Sequence, residues 1–114
     1  MFFLILIVPK ASSGLGESVM AVKILIMRVI AEERINDLLP LFRRLRNLAT
    51  SQPGYISGET LKRVDRPDEY LVISTWQSLD NWREWAVCRE RIEVQDEIDA
   101  RLDEKTIYEI YQYG

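Results

Sequence analysis

Two stretches of the chain carry apolar residues on both alternating sets of positions and predict strands that are covered on both faces. Residues 21–30 read AVKILIMRVI, with Arg28 as the conspicuous exception, and residues 69–76 read EYLVISTW. A strand with one wet face intersperses polar residues instead. Residues 55–64 (YISGETLKRV) follow that second pattern, and residues 105–113 (KTIYEIYQY) predict a last strand.

A period of 3.6 residues predicts two helices between these strands. The first runs from Glu33 to Ser51, and Pro40 inside it removes one backbone donor and should loosen or kink it. The second begins after the N-cap Ser78 and reaches Leu102, with a break or a shift of register near Cys88. Its predicted inner stripe is Trp82, Trp85, Ile92, Gln95, Ile98 and Leu102, and its predicted solvated side includes Arg91.

The order of these elements predicts a ferredoxin-like βαββαβ arrangement of the α+β class, with a four-stranded antiparallel sheet and two helices on one face. The two helices cover one side of the sheet, but the first and third strands are apolar on both sides. A second copy of the chain is the simplest cover for the remaining face. The sequence therefore predicts a homodimer.

The first twenty residues are predicted to lie outside the domain, which we place at residues 21–114. The apolar run MFFLILIV is too short to span a bilayer, which takes about 20 apolar residues. A secretory signal is one interpretation, although no positively charged region precedes the run. We favour an over-extended start or an added leader, followed by a linker that contains glycine and serine.

Composition narrows the classes of function. A length of 114 residues suits one domain, and a net charge of −3 offers no excess of cations for a nucleic acid partner. The single cysteine, Cys88, cannot form an internal disulfide and fits a reducing cytoplasm. The chain has no histidine, which removes histidine general bases and histidine metal ligands. We expect no membrane partner, no metal and no cofactor.

The stretch from Pro53 to Trp85 (PGYISGETLKRVDRPDEYLVISTWQSLDNWREW), with the helix after it and the strand YEIYQ, resembles the antibiotic biosynthesis monooxygenase family. The resemblance covers roughly Val22 to Gln112, and the Pro53-Gly54 pair and the segment from Trp76 to Trp82 are its most telling parts. It implies a dimeric α+β barrel with one pocket per subunit between sheet and helices. Several members of that family oxidise aromatic or quinol substrates with dioxygen and no metal or flavin.

The haem-degrading branch of the same family gives a sharper comparison. There, a tryptophan early in the second helix is followed ten positions later by the histidine that ligates haem iron. Trp85 matches the tryptophan, but Gln95 stands at the ligand position, and Met27 lies near the position of that branch's first-strand asparagine. Ordinary haem ligation is therefore not expected.

The resemblance directs attention to aromatic side chains that would line the pocket. The candidate substrate-binding residues are Tyr55, Tyr70, Trp76, Trp82 and Trp85. Arg28 is the candidate catalytic residue, because a guanidinium can stabilise the anion of a phenol or quinol that reduces dioxygen directly. Arg63 is a second candidate, although pairing with Asp65 or Glu69 across the hairpin is the plainer interpretation.

Packing competes with chemistry for several of these residues. Large residues in the core or at the dimer interface would also explain the three tryptophans, and we assign Tyr108, Tyr111 and Tyr113 to the dimer interface. Cys88 has no histidine to activate it and is expected to be inert.

Two functions stay open: a cofactor-independent monooxygenase acting on a small aromatic or quinol-type substrate, and a non-catalytic small-molecule-binding or assembly module of the same fold. Family association alone favours the enzyme.

Overall fold

Seven elements of regular structure make up the part of the chain that the computed structural model describes, residues 20–114. In chain order they are β1 (Val22–Val29), α1 (Glu32–Thr50), β2 (Tyr55–Lys62), β3 (Glu69–Trp76), α2 (Leu79–Ala86), α3 (Arg89–Leu102) and β4 (Glu109–Gln112). Residues 1–19, which hold the predicted leader and linker, lie outside the described range.

The four strands form one antiparallel sheet in the order β2-β3-β1-β4. This is the ferredoxin-like α+β topology that the sequence predicts. The predicted second helix is divided into α2 and α3 by a break at Val87 and Cys88, where we expected a break or a change of register. Pro40 lies inside α1, which runs unbroken from Glu32 to Thr50.

Two predicted strand boundaries are wrong. The last strand covers only Glu109–Gln112, and residues 105–108 before it have no regular structure. Strand β4 pairs only with the first half of β1, from Val22 to Leu25, so the earlier residues have no neighbouring strand to bond. Strand β2 ends at Lys62, and the next backbone N–H, that of Arg63, donates to the Glu69 carbonyl at 2.9 Å where the hairpin closes.

The alternation of β1 sorts its residues between the two faces of the sheet. Val22, Ile24 and Arg28 point toward the helices and are buried. Met27 and Val29 point the other way and expose 59% and 56% of their surface. Residues directly opposite one another on antiparallel strands share a face, so the side turned away from the helices, here called the outer face, also carries residues of the neighbouring strands. These include Leu61, Leu71, Ile73, Glu109 and Tyr111.

The core consists of two buried clusters on the helix side of the sheet. One joins α1 to α3 through Leu38, Val94 and Ile98. The other joins β1 and β3 to α2 and contains Trp76 and Trp85. Residues of both clusters line the cavity described below.

A tight turn before β2 fixes where α2 begins. Gly54 has a φ of +84°, a conformation that a residue with a Cβ rarely adopts. A Cβ there would also lie 2.2 Å from the Cγ of Asn81. Asn81 belongs to the first turn of α2, and its backbone N–H donates to the Ser78 hydroxyl at 3.1 Å, which confirms Ser78 as the N-cap.

No helix within residues 20–114 combines the length and the apolar character that a crossing of the membrane would require.

Candidate functional site

A cavity of about 510 Å³ lies between the helix-facing side of the sheet and the three helices. This volume falls within the range of about 300–1,000 Å³ that is usual for small-molecule sites. Six of the seven site candidates selected from the sequence line it: Arg28, Tyr55, Tyr70, Trp76, Trp82 and Trp85. The structure therefore brings these six candidates together, while their roles in binding or catalysis stay predictions.

Three rings form a continuous aromatic wall, here meaning Tyr55, Trp76 and Trp85. The Tyr55 and Trp76 rings meet edge to face, with centroids 5.4 Å apart, and Trp76 stacks on Trp85 at 6.0 Å. Trp76 and Trp85 are almost completely buried, so they serve the core and the cavity together. The core interpretation of these two tryptophans and the pocket interpretation are thus compatible.

The position of the Tyr55 ring depends on an irregularity in β2. The pairing of β2 with β3 shifts between Tyr55 and Ser57, which turns Tyr55 toward Trp76. A Cβ added at Gly58 would lie 2.7 Å from the Tyr55 hydroxyl oxygen. The absence of a side chain at position 58 therefore leaves the space that the Tyr55 hydroxyl occupies.

Four polar residues also line the cavity and are here called the polar wall: Arg28, Arg91, Gln95 and Tyr108. This wall meets the aromatic wall where Arg91 packs on Trp85. Arg91 was expected on the solvated side of the second helix, and that prediction is wrong, because only 7% of its surface is exposed. The break before Arg89 resets the phase of α3. Arg91 then shares its buried face with Val94 and Ile98, while Ile92, predicted to lie inside, is exposed.

The Arg91 guanidinium is held between two aromatic rings. Its central carbon lies 5.9 Å from the Trp85 ring centroid and 5.1 Å from that of Tyr108. Nη1 donates to the Ala86 carbonyl at 3.1 Å, and Nη2 donates to the Tyr108 hydroxyl. The Tyr108 ring in turn contacts Trp82 edge to face at 5.6 Å. Tyr108 therefore lines the cavity, contrary to its assignment to the dimer interface, whereas Tyr111 and Tyr113 are exposed.

Arg28 occupies the other part of the polar wall. Its guanidinium carbon lies 5.5 Å from the Phe42 ring centroid, and Nη1 donates to the Thr106 hydroxyl at 3.3 Å. Thr106 donates to Asp99 at 2.6 Å, and Gln95 donates to both Thr106 and Asp99. Arg28 is thus connected to the carboxylate only through a hydroxyl.

Burial shifts the pKa of two groups in this wall. Desolvation lowers the pKa of the Arg28 guanidinium, and the charge of Asp99 opposes the shift. An arginine starts from so high a value that it stays charged at neutral pH. Desolvation raises the pKa of the Tyr108 phenol, against the opposing effect of Arg91. Tyr108 is therefore neutral at physiological pH and accepts a hydrogen bond from the arginine.

Arg63, the second candidate for anion stabilisation, lies away from the cavity. It donates to Asp65 at 2.7 Å and to Glu69 at 3.3 Å, which is the hairpin pairing that the sequence suggested. These bonds raise the pKa of the exposed guanidinium, and Asp65 contributes most.

Cys88 is partly buried, and its thiol lies 3.7 Å from a carboxylate oxygen of Glu90. A neighbouring carboxylate does not favour a reactive thiolate. Across residues 20–114, no three His, Cys, Asp or Glu side chains are grouped so that they could hold a metal ion.

Comparison with known proteins adds a family match. Residues 20–87, which are more than half of the chain, match the model of the antibiotic biosynthesis monooxygenase family. A curated relative, protein SchA of Streptomyces halstedii, is 25% identical over 73 residues. That alignment covers 64% of this chain and 19% of SchA, so the chain spans about a fifth of the length of the curated relative it matches.

Two solved structures illustrate the likeness in fold. A conserved protein from Methanosarcina mazei Go1 superimposes with a TM-score of 0.75 at 14% identity, over 84% of this chain and 95% of that one. A variant of SnoaB, a cofactor-independent oxygenase from Streptomyces nogalater, superimposes with a TM-score of 0.66 at 16% identity, over 82% and 91% of the two chains. At such identities the likeness concerns the fold alone.

Proposed function

The chain belongs to the antibiotic biosynthesis monooxygenase family, and on that premise we propose that it oxidises a small aromatic or quinol-type substrate with dioxygen, without a metal or an organic cofactor. SnoaB, which shares the fold, is a cofactor-independent oxygenase. The proposal concerns the reaction class. It treats the cavity between sheet and helices as the place where the substrate binds.

The observation that carries this proposal is the pairing of an aromatic wall with buried guanidinium groups in one cavity. The rings of Tyr55, Trp76 and Trp85 offer faces and edges against which a flat substrate can stack. Arg28 and Arg91 line the same cavity, and each exposes only 7% of its surface. Arg91 packs on the Trp85 ring. An aromatic anion is the ligand that complements both the rings and the guanidinium groups.

The chemistry needs little from the protein beyond binding and charge. A phenol with hydrogen on the ring carbon para to its hydroxyl can lose the hydroxyl proton and pass one electron from the phenolate to dioxygen. The two radicals then combine into a C–O bond at that carbon, and the peroxide takes up a proton. Loss of the ring hydrogen as a proton, with cleavage of the O–O bond, gives the quinone carbonyl and one water. One phenol and one dioxygen thus become one quinone and one water.

Arg28 is proposed to favour the first of these steps. An opposite charge within about 4–6 Å lowers the pKa of an acid by about 1–3 units, and burial strengthens the effect. The Arg28 guanidinium would therefore favour the phenolate of a bound phenol, against the desolvation that raises the pKa of the Tyr108 phenol in the same wall. This arrangement does not require a histidine base.

An oxygen electrode tests the proposal with hydroxylated naphthalenes and quinols as substrates. We expect uptake above the protein-free control, unchanged after dialysis against a chelator. If the chelator abolishes the uptake of dioxygen, the protein would still be an enzyme, but its reaction would depend on a metal. Uptake equal to the control for every compound would favour the non-catalytic binding module.

We also propose that a second copy of the chain covers the outer face of the sheet. The helices already cover the other face, while Met27, Val29 and Leu61 leave apolar surface exposed on this one. Monomers rarely expose contiguous apolar patches of more than a few hundred Å². The outer face carries both Lys23 and Glu109, so two copies related by a two-fold axis can bring opposite charges together.

The cellular location is proposed from the cysteine content. Cys88 is the single cysteine of the chain, so no internal disulfide would be lost in a reducing compartment. We therefore propose that the protein works in the cytoplasm.

A further inference from the structure

The charges that line the cavity are strongly unbalanced. Four arginines border it, of which Arg28 and Arg91 are buried and Arg43 and Arg46 are exposed on α1. The one acidic residue of the lining is Glu59, which pairs with the outer-face residue Ile73. The chain as a whole carries a net charge of −3, so this concentration of positive charge is opposite in sign to the rest of the protein. A cleft with one sign of charge and apolar walls concentrates ligands of the opposite sign.

Arg91 is a buried member of this set whose charge has no carboxylate partner among the residues that the structure describes. Its hydrogen bonds go to a backbone carbonyl and to the neutral Tyr108 hydroxyl, and neither partner carries a negative charge. Within residues 20–114 it forms no ion pair with a carboxylate. A buried charge without a counter-ion is costly, and an anionic ligand would remove that cost.

Arg28 differs from Arg91 in its surroundings. Thr106 connects Arg28 to Asp99, and Asp99 itself does not line the cavity. Gln95, one turn after Arg91 on α3, donates to the same threonine, so both arginines belong to one wall. The charge of Arg28 is therefore partly balanced by Asp99, which lies outside the cavity, whereas the charge of Arg91 is not balanced by a carboxylate in the described part of the chain.

We infer that the cavity takes an aromatic carboxylic acid, with the carboxylate held by Arg91 and the rings against the aromatic wall. Two of the five guanidinium N–H donors of Arg91 bond Ala86 and Tyr108, and the other three remain for the two oxygens of a carboxylate. The aromatic wall, which begins at Trp85 beside Arg91, would give a small inorganic anion no advantage. That such an acid is the substrate rests on the proposed function, whereas its binding does not.

Isothermal titration calorimetry with 2-naphthoate and 2-naphthamide tests this inference, because the two probes share a ring system and differ in charge. We expect wild-type protein to bind the naphthoate at least tenfold more tightly, which corresponds to about 1.4 kcal/mol. The preference should disappear in Arg91→Gln and return in part in Arg91→Lys. It should persist in Arg89→Gln, which removes an exposed arginine from the same helix.

Equal affinity of the wild-type protein for the two probes, or no binding of either, would overturn the inference. So would a preference for naphthoate that survives in a folded Arg91→Gln protein. The wild-type comparison needs no variant, so the inference can fail even if Arg91→Gln does not fold.

The same measurement separates the inference from the proposed reaction. If the protein prefers naphthoate but consumes no dioxygen with any phenol, the inferred binding site is supported and the proposed monooxygenase reaction is contradicted. If the protein consumes dioxygen with neutral phenols but shows no preference for naphthoate, the proposed reaction is supported and the inference of an aromatic carboxylic acid is contradicted.

Discussion

The guanidinium carbon of Arg91 lies 5.1 Å from the centroid of the Tyr108 ring, and the same guanidinium donates a hydrogen bond to the Tyr108 hydroxyl. Arg91 belongs to α3, whereas Tyr108 belongs to the irregular segment before β4. This contact therefore joins a helix to the approach of the last strand across one side of the cavity. It places a buried charge beside the rings that a substrate would touch.

Tyr108 should ionise later than an ordinary tyrosine, because burial raises its pKa above the usual value of about 10. Its contribution to stability is fully present below pH 10 and is lost as the pH rises through the folded-state pKa. Ultraviolet absorbance should show a late tyrosinate component that is missing in Tyr108→Phe. A Tyr111→Phe control should keep it, since Tyr111 is exposed. A titration of Tyr108→Phe that retains the late component would contradict this assignment.

The two tryptophans of α2 should separate stability from binding. Trp85 is buried and stacked on Trp76, so Trp85→Ala should cost about 3–5 kcal/mol in the free energy of unfolding. Trp82 is only partly buried, so Trp82→Ala should cost less and chiefly raise KM. Urea unfolding and steady-state kinetics measure the two effects. Equal losses of stability would show that the difference in burial does not matter.

Arg28→Gln should lower kcat, because it removes the charge that is proposed to stabilise the substrate anion. A tenfold fall would correspond to about 1.4 kcal/mol of lost transition-state stabilisation. The pH at which kcat reaches half of its maximum should also rise, since the pKa of the bound substrate phenol would then lie nearer its value in water. Arg44→Gln is the matched control, because Arg44 is exposed on α1 and does not line the cavity. An unchanged pH profile in Arg28→Gln would contradict the assigned role.

Met27→Lys should weaken the proposed dimer without unfolding the chain, because Met27 is already 59% exposed on the outer face. Sedimentation at micromolar concentration should give about twice the 13.4 kDa chain mass for the wild type and a lower mass for the variant. Val64→Lys places the same charge in the hairpin turn, where the valine is 97% exposed, and should leave the mass unchanged. A folded wild-type monomer would contradict the dimer.

The topology was predictable because each element carries its own local signal. The apolar runs of β1 and β3 and the Ser78 cap depend only on neighbouring residues. The aromatic candidates could be selected because the family resemblance implies a pocket between sheet and helices that aromatic side chains would line.

The polar wall could not be predicted as well. The phase of α3 is set by a break, and the sequence located that break without fixing the rotation across it. Counting back seven residues from Ile98 would have placed Arg91 inside, since seven residues are nearly two turns. The position of Tyr108 could also have been predicted. Side chains alternate between the two faces of a strand, which places Tyr108 on the same face as Ile110 and on the face opposite Tyr111. The link of Arg28 to Asp99 through Thr106 joins distant parts of the chain and left no local trace.

The stoichiometry of oxygen uptake tests the proposed monooxygenation most directly. An oxygen electrode, with catalase added once a known amount of phenol has been consumed, distinguishes incorporation of oxygen from its reduction to peroxide. We predict one dioxygen consumed per quinone formed and no oxygen returned by catalase. Return of half the consumed oxygen would show hydrogen peroxide as the product, and would contradict monooxygenation.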